Sequence, residues 1–200
     1  MAHAGDDDVR LMQALRAGDG SAFDALFARW SRPLLRYLER IVRDGGCAED
    51  LVQEVFLRVY RARDRYEPDA RFSTWLFTIA TRLAWNELRR PRHRSPHDPV
   101  DGDDERGPLA LAADQPAADA VADARRTGAR VERALERLPE RQRAALWLAA
   151  VEGLSYAEVA ALLDTTENSV KALVHRARTG LAEQLGAASG AARLRPGEPS

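Results

Sequence analysis

Residues 49–94 read EDLVQEVFLRVYRARDRYEPDARFSTWLFTIATRLAWNELRRPRHR. Leu51, Val55, Phe56 and Val59 recur at three- and four-residue steps, which predicts a helix running to about Arg63. Pro68 lacks an amide hydrogen and disfavours helix in the residue before it, so Asp64–Arg71 is expected as a loop. A second period, Phe72, Leu76, Ile79, Ala80 and Leu83, predicts a further helix ending near Pro91. Neither side of this stretch alternates apolar and polar residues as a strand would, so the chain is expected to be all-α.

Outward from this stretch the helical pattern continues. Phe23, Leu26, Phe27, Trp30, Leu34 and Leu38 outline one buried helical face, and Asp44-Gly45-Gly46 is read as its break. Residues 94–124 hold prolines at 96, 99, 108 and 116 and few large apolar side chains, the composition of a flexible acidic linker. Helical pattern resumes near Arg125: one helix precedes Pro139, another ends at Gly153, and Ser155-x-x-Glu158 forms a capping box for the next. Asp164-Thr165-Thr166 makes a turn, Asn168–Leu185 a last helix, and residues 186–200 a disordered tail. The expected architecture is two small helical domains, 9–93 and 125–185, joined by that linker.

The formal net charge of −1 conceals strong segregation. Residues 10–94 carry +6 and residues 125–185 carry +2, while the linker stretch 95–124 carries −7. Two basic blocks around an acidic tract are compatible with a polyanionic partner despite the near-neutral total. No apolar run is long enough to span a bilayer, the acidic N-terminus is no secretory signal, and the single cysteine, Cys47, excludes an intrachain disulfide. These features lead us to expect a cytoplasmic protein without membrane insertion. His93 and His97, near Asp98 and Asp101, lie in a proline-rich stretch without a scaffold, so no metal or other cofactor is expected. No nucleophile–base pair or phosphate loop points to an enzyme.

Three constellations remain. In the C-terminal block, Val159, Ala160, Leu163, Val170 and Val174 would lock two helices across a tight turn, with Thr165 or Thr166 capping the second. Its outer face then carries Glu167, Asn168, Lys171, Ala172, His175, Arg176 and Arg178, the chemistry of a helix that reads a major groove and grips phosphates. A generic amphipathic hairpin is the alternative. In the N-terminal block, Asp50, Gln53 and Glu54 share one helix face, which suits either a docking patch for a partner's arginines or a solvated surface. Beyond them Tyr66, Phe72, Trp75, Phe77 and Trp85 mix with Arg71, Arg82, Asn86, Arg89 and Arg90. Rings that stack on bases beside guanidinium groups that track phosphates are what single-stranded nucleic acid requires, with Phe72 and Phe77 expected in the core. The loop RYEPDAR offers a pocket for a flipped base.

On the strings AEDLVQEVFLRVYRARDRYEPDARFSTWLFTIATRLAWNELRR and LPERQRAALWLAAVEGLSYAEVAALLDTTENSVKALVHRAR, the chain resembles the bacterial RNA polymerase sigma factors of the extracytoplasmic-function type, in their regions 2 and 4. The resemblance implies that Asp50, Gln53 and Glu54 dock on the clamp helices of the largest subunit of core RNA polymerase. It implies that the loop containing Tyr66, Asp69 and Arg71, with the helix bearing Trp75, Arg82, Asn86, Arg89 and Arg90, melts the −10 promoter element and reads it as single strand. Thr166, Glu167, Asn168, Lys171, Ala172, His175, Arg176 and Arg178 would then read the −35 element as duplex. An anti-sigma factor is a partner the family leads one to expect, and the nucleoid of a bacterium the place of action. Arg82 stands where many members carry Asn, which favours a phosphate contact there, and Leu173 stands where arginine is frequent. The reading of a different class is an ordinary helix-turn-helix repressor or activator whose N-terminal block dimerises.

Overall fold

The computed structural model describes residues 4–90 and 118–193, and among them there are helices and turns but no strand. The N-terminal unit contains α1 (Ala4–Arg16), α2 (Gly20–Val42), α3 (Gly45–Ala62), a 3-10 turn at Arg63–Arg65 and α4 (Phe72–Leu88). The C-terminal unit contains α5 (Ala118–Glu136), α6 (Glu140–Ala150), α7 (Tyr156–Leu162) and α8 (Glu167–Arg193). The linker reading for residues 94–117 lies outside the described residues, as do His93 and His97.

Local chemistry moves several expected boundaries. α1 and α2 are separate helices: Gly18 takes a left-handed φ of 98° and Asp19 caps α2 by accepting from the Ser21 amide at 2.9 Å. Between α2 and α3 the break lies at Arg43-Asp44, one residue earlier than the glycines. Arg43 is left-handed at φ 59°, and the Asp44 side chain accepts from the Cys47 amide at 3.0 Å, so Gly45 and Gly46 already belong to α3. α5 begins at Ala118, ahead of the expected Arg125, and α8 continues past Gly186 to Arg193.

α2, α3 and α4 enclose the N-terminal core. Leu26, Leu34, Val55, Phe72, Leu76, Phe77 and Ala80 are fully buried, and Trp30, Tyr37, Phe72 and Phe77 meet in tilted and edge-on contacts. Phe27 departs from the expected buried face and is 41% exposed, because the inner stripe of α2 runs through Ala22, Leu26, Leu34, Tyr37 and Leu38 instead. The geometry of one buried polar pair in this core, Tyr37 and Thr81, follows from proton counting. Thr81 Oγ1 donates its only proton to the Phe77 carbonyl at 2.7 Å, so the Tyr37 hydroxyl must be the donor in its 2.7 Å contact with Thr81 Oγ1. Burial raises the pKa of Tyr37 well above the ordinary phenol range, although the Thr81 bond acts the other way. Thr81→Val is expected to destabilise more than Tyr37→Phe, about 1–3 against about 0.5–1.5 kcal/mol, because only the first strands a buried hydroxyl. Urea unfolding of the two variants measures the difference, and equal losses would refute the assigned direction.

In the C-terminal unit α6, α7 and α8 pack around Leu148, Val159, Leu163, Val170 and Val174, each at most 1% exposed. Ser155 and Glu158 form the expected capping box at the start of α7. Asp164 turns the chain at φ 51°, and Thr166 rather than Thr165 caps α8, its Oγ1 accepting from the Ser169 amide at 3.2 Å. The two units touch along α4 and α7 and along α2 and α6.

Candidate nucleic-acid interface

α8 presents its inner and outer faces as its periodicity dictates. Val170, Val174 and Ala177 are buried, while Thr166, Glu167, Asn168, Lys171, Ala172, His175, Arg176 and Arg178 are all exposed. The outer face is lightly tied: Lys171 Nζ lies 3.3 Å from Glu167 Oε1, and Arg176 Nε donates to the Ala172 carbonyl at 3.2 Å. An exposed pair of this kind contributes little to stability, so Lys171 can exchange Glu167 for a phosphate or base edge at small cost. Tyr156 of α7 faces Lys171, His175 and Arg178 across a shallow cleft.

The second surface lies on α4 and the loop before it. Trp75, Arg82, Asn86 and Arg89 fall along one helical stripe, with Trp75 half-buried and the other three exposed. Asn86 accepts from Arg89, and Arg90 pairs with the buried Glu87 at 2.8 Å, so the last turn of α4 holds its cations in place. Phe72 and Phe77 are core residues, as expected. Tyr66 is buried as well: its ring sits 5.0 Å from Trp75 and 6.2 Å from Phe72, and its hydroxyl has no hydrogen-bond partner. Burial, with a smaller contribution from Asp8, raises its pKa. Tyr66 thus anchors the loop, while Glu67, Pro68, Asp69, Ala70 and Arg71 project from it.

On α3, Asp50 and Gln53 are exposed, and half-buried Glu54 is braced by Arg58 at 2.9 Å. The sequence reading missed what lies beside them. Leu57 is 48% and Tyr60 46% exposed, the Tyr60 ring meeting Phe23 edge-on at 5.9 Å, with the Arg63 guanidinium 4.2 Å from the centre of the Tyr60 ring. Leu57 continues the stripe of Asp50, Gln53 and Glu54, off the Leu51–Val55–Val59 core line, and that offset was the available signal. An apolar side chain amid polar ones gives this face a desolvatable centre.

Glu158 joins the two units. Its Oε2 closes the capping box with the Ser155 amide and hydroxyl, and its Oε1 accepts from Thr74 Oγ1 at 2.9 Å and lies 3.7 Å from Arg71 Nε. Burial acts to raise the Glu158 pKa, but the Ser155 and Thr74 hydrogen bonds and the Arg71 charge outweigh it and hold the carboxyl below its usual range. The contacts made by the carboxylate are therefore complete above the ordinary Glu range and are lost as the pH falls through the lowered value. Among the described residues no cluster fit to hold a metal is present, and no described helix is long and apolar enough to cross a membrane.

Comparison with known proteins agrees with this geometry. Residues 26–94 match the family model for Sigma-70 region 2, and residues 128–181 match that for Sigma-70, region 4. The RNA polymerase sigma factor CarQ of Myxococcus xanthus is 38% identical over 175 residues, covering 88% of this chain and 95% of that protein. The ECF RNA polymerase sigma-E factor of Escherichia coli is 33% identical over 178 residues, covering 87% and 92%. Among solved structures, CnrH in complex with the cytosolic domain of CnrY aligns with a TM-score of 0.65 at 26% identity, over 91% of this chain and 99% of that one. The sigma factor RpoE of Bartonella quintana, in complex with the anti-sigma factor NepR, aligns with a TM-score of 0.63 at 26% identity, over 82% and 96%. With both family models matched, the described residues helical and relatives covered over nearly their whole length, the chain has one family to belong to: it is an RNA polymerase sigma factor of the extracytoplasmic-function type.

Proposed function

We propose that this chain docks on core RNA polymerase through Asp50, Gln53 and Glu54 and directs initiation at promoters that it reads in two chemically different ways. α8 reads the −35 element as duplex. The loop Tyr66–Arg71 and α4 hold the −10 element as single strand, with Trp75 stacking on bases and Arg82, Asn86, Arg89 and Arg90 tracking the backbone. The observation that carries this reading is the stripe of half-buried Trp75 and exposed Arg82, Asn86 and Arg89 on the same chain as a helix, α8, whose outer polar and basic face is exposed. Strand opening then comes from binding energy, since stacked, unpaired bases offset the lost pairing. RpoE was solved with the anti-sigma factor NepR, and CnrH with the cytosolic domain of CnrY, which supports an anti-sigma factor as a partner of this chain too. The place of action is the nucleoid, in the cytoplasm of a bacterium.

Run-off transcription with purified core polymerase tests the whole reading: discrete transcripts from genomic templates are expected, and their absence at every template would overturn it. Replacing Lys171 and Arg176 together by Ala is expected to weaken −35 duplex binding and to reduce the slope of log affinity against log salt by about 1–2. An unchanged slope would remove phosphate contact from these two side chains.

A further inference from the structure

The outer face of α8 carries one acid among cations. From Thr166 to Ala182, Glu167 is the only carboxylate, whereas Lys171, Arg176 and Arg178 are cationic and His175 is titratable. The helix cap does not use this acid. Thr166 caps α8 by accepting from the Ser169 amide, and the two hydroxyls lie 2.9 Å apart, so the cap is complete without it. The Glu167 carboxylate instead lies 3.3 Å from Lys171 Nζ, one turn on, with both side chains about half exposed. Buried Val170 and Val174 fix the register beneath them, so the pair stands on the outward face of the first turns.

A carboxylate on a face that reads DNA is unfavourable unless it meets a donor, because the phosphates repel it. In the major groove the base edges offer two such donors, cytosine N4 and adenine N6. Their surroundings differ. Adenine N6 lies between two acceptors, its own N7 and thymine O4, and a carboxylate that reaches it meets a lone pair on either side. Cytosine N4 has a carbon-bound hydrogen on one side, with guanine O6 and N7 following on the other. The edge of a cytosine–guanine pair is therefore one donor followed by two adjacent acceptors.

Glu167 and Lys171 present the complement of that edge, an acceptor beside a cation that only donates. The spacing agrees as well. N4 and O6 are hydrogen-bonded to each other at about 2.9 Å, close to the 3.3 Å between the two side-chain atoms. A Glu followed by Lys four residues later is the favoured order on a helix, so the pair is assembled before DNA arrives. The N-terminal turns of a recognition helix are also the part that reaches base edges.

We propose that Glu167 and Lys171 act as one unit that reads a single cytosine–guanine base pair of the −35 element, Glu167 accepting from cytosine N4 and Lys171 donating to guanine O6 and N7. Glu167 is then a specificity-determining residue: it rejects the acceptor edges of guanine and thymine at the cytosine position by repulsion and admits cytosine by its amino group. This inference rests on the reading of α8 given above and adds which base pair its first turns select.

The test is selection by holoenzyme. Core polymerase reconstituted with the full chain is bound to a promoter library randomised through the −35 element, and the retained templates are sequenced. The wild type is expected to enrich cytosine at one position about tenfold or more over each other base. Glu167→Ala should abolish that preference at that position alone. Glu167→Gln should move it toward adenine, because an amide pairs with N6 and N7 together. Lys171→Ala should weaken selection at the same base pair. Preferences kept at the other positions show that each variant is folded and engaged. A uniform fall in binding by Glu167→Ala, with every positional preference unchanged, leaves the carboxylate a partner of the helix dipole and overturns the inference alone. Lys171→Ala acting at a different base pair overturns the paired reading. A wild type that selects no base at any position overturns the −35 reading of α8, and this inference with it.

Discussion

Reversing Asp50 and Glu54 together to Lys is expected to lower affinity for core polymerase by about a hundredfold or more. Both residues sit on α3, a helix capped by Asp44 and fixed against the core by Leu51, Val55, Phe56 and Val59, so their carboxylates are presented from a rigid surface. A face of this sign selects a cationic partner, and reversal replaces attraction by like-charge contact, which costs several kcal/mol, at ~1.4 kcal/mol per tenfold. The fold has no reason to fail, because Asp50 is exposed and the Glu54–Arg58 pair is a partly exposed i,i+4 contact of small worth. Competition of the variant with labelled wild type for core enzyme gives the affinity. Binding of −35 duplex by the same protein should be unchanged. Equal affinity of wild type and variant for core would dismiss α3 as the docking face.

The second large effect is expected from Val170→Asp. Val170 is fully buried on the inner face of α8, between Asn168 and Lys171 on the outer one, and packs with Val159, Leu163 and Val174. A carboxylate there is buried with no cation beside it, a change in the class that costs about 3–5 kcal/mol. The α7–α8 pair would lose its fixed angle, and the outer side chains their common geometry, although none of them is altered. Duplex −35 binding should fall to the non-specific level while the single-stranded oligonucleotide is still bound through α4. Wild-type specificity for −35 duplex in this variant would show that reading does not depend on the locked hairpin.

The period of apolar residues was enough to place α2, α3, α4, α7 and most of α8, because a face that must be buried leaves its spacing in the chain. The same logic identified Val159, Leu163, Val170 and Val174 and, by subtraction, the whole exposed side of α8. It failed where tertiary packing chose among apolar residues. Phe27 shares the period of Leu26 and Trp30 yet faces outward, and Leu57 and Tyr60 stand exposed beside the acidic stripe of α3. Tyr66, read as part of a polar loop, is drawn into the core because Phe72 and Trp75 offer it a ring contact. The helix break at Arg43 escaped notice because a left-handed arginine leaves no compositional mark, whereas two glycines beside it did.

What the sequence by itself determined is therefore most of the helices, the family and the polar side chains of each surface, since all three are carried by short-range spacing and residue type. What only the tertiary structure decided is which atoms meet across the chain. Glu158 was legible as a cap because its partner Ser155 is three residues away. Its second set of partners, Thr74 and Arg71, lies more than eighty residues earlier, and no local pattern encodes a contact between residues so far apart in the chain.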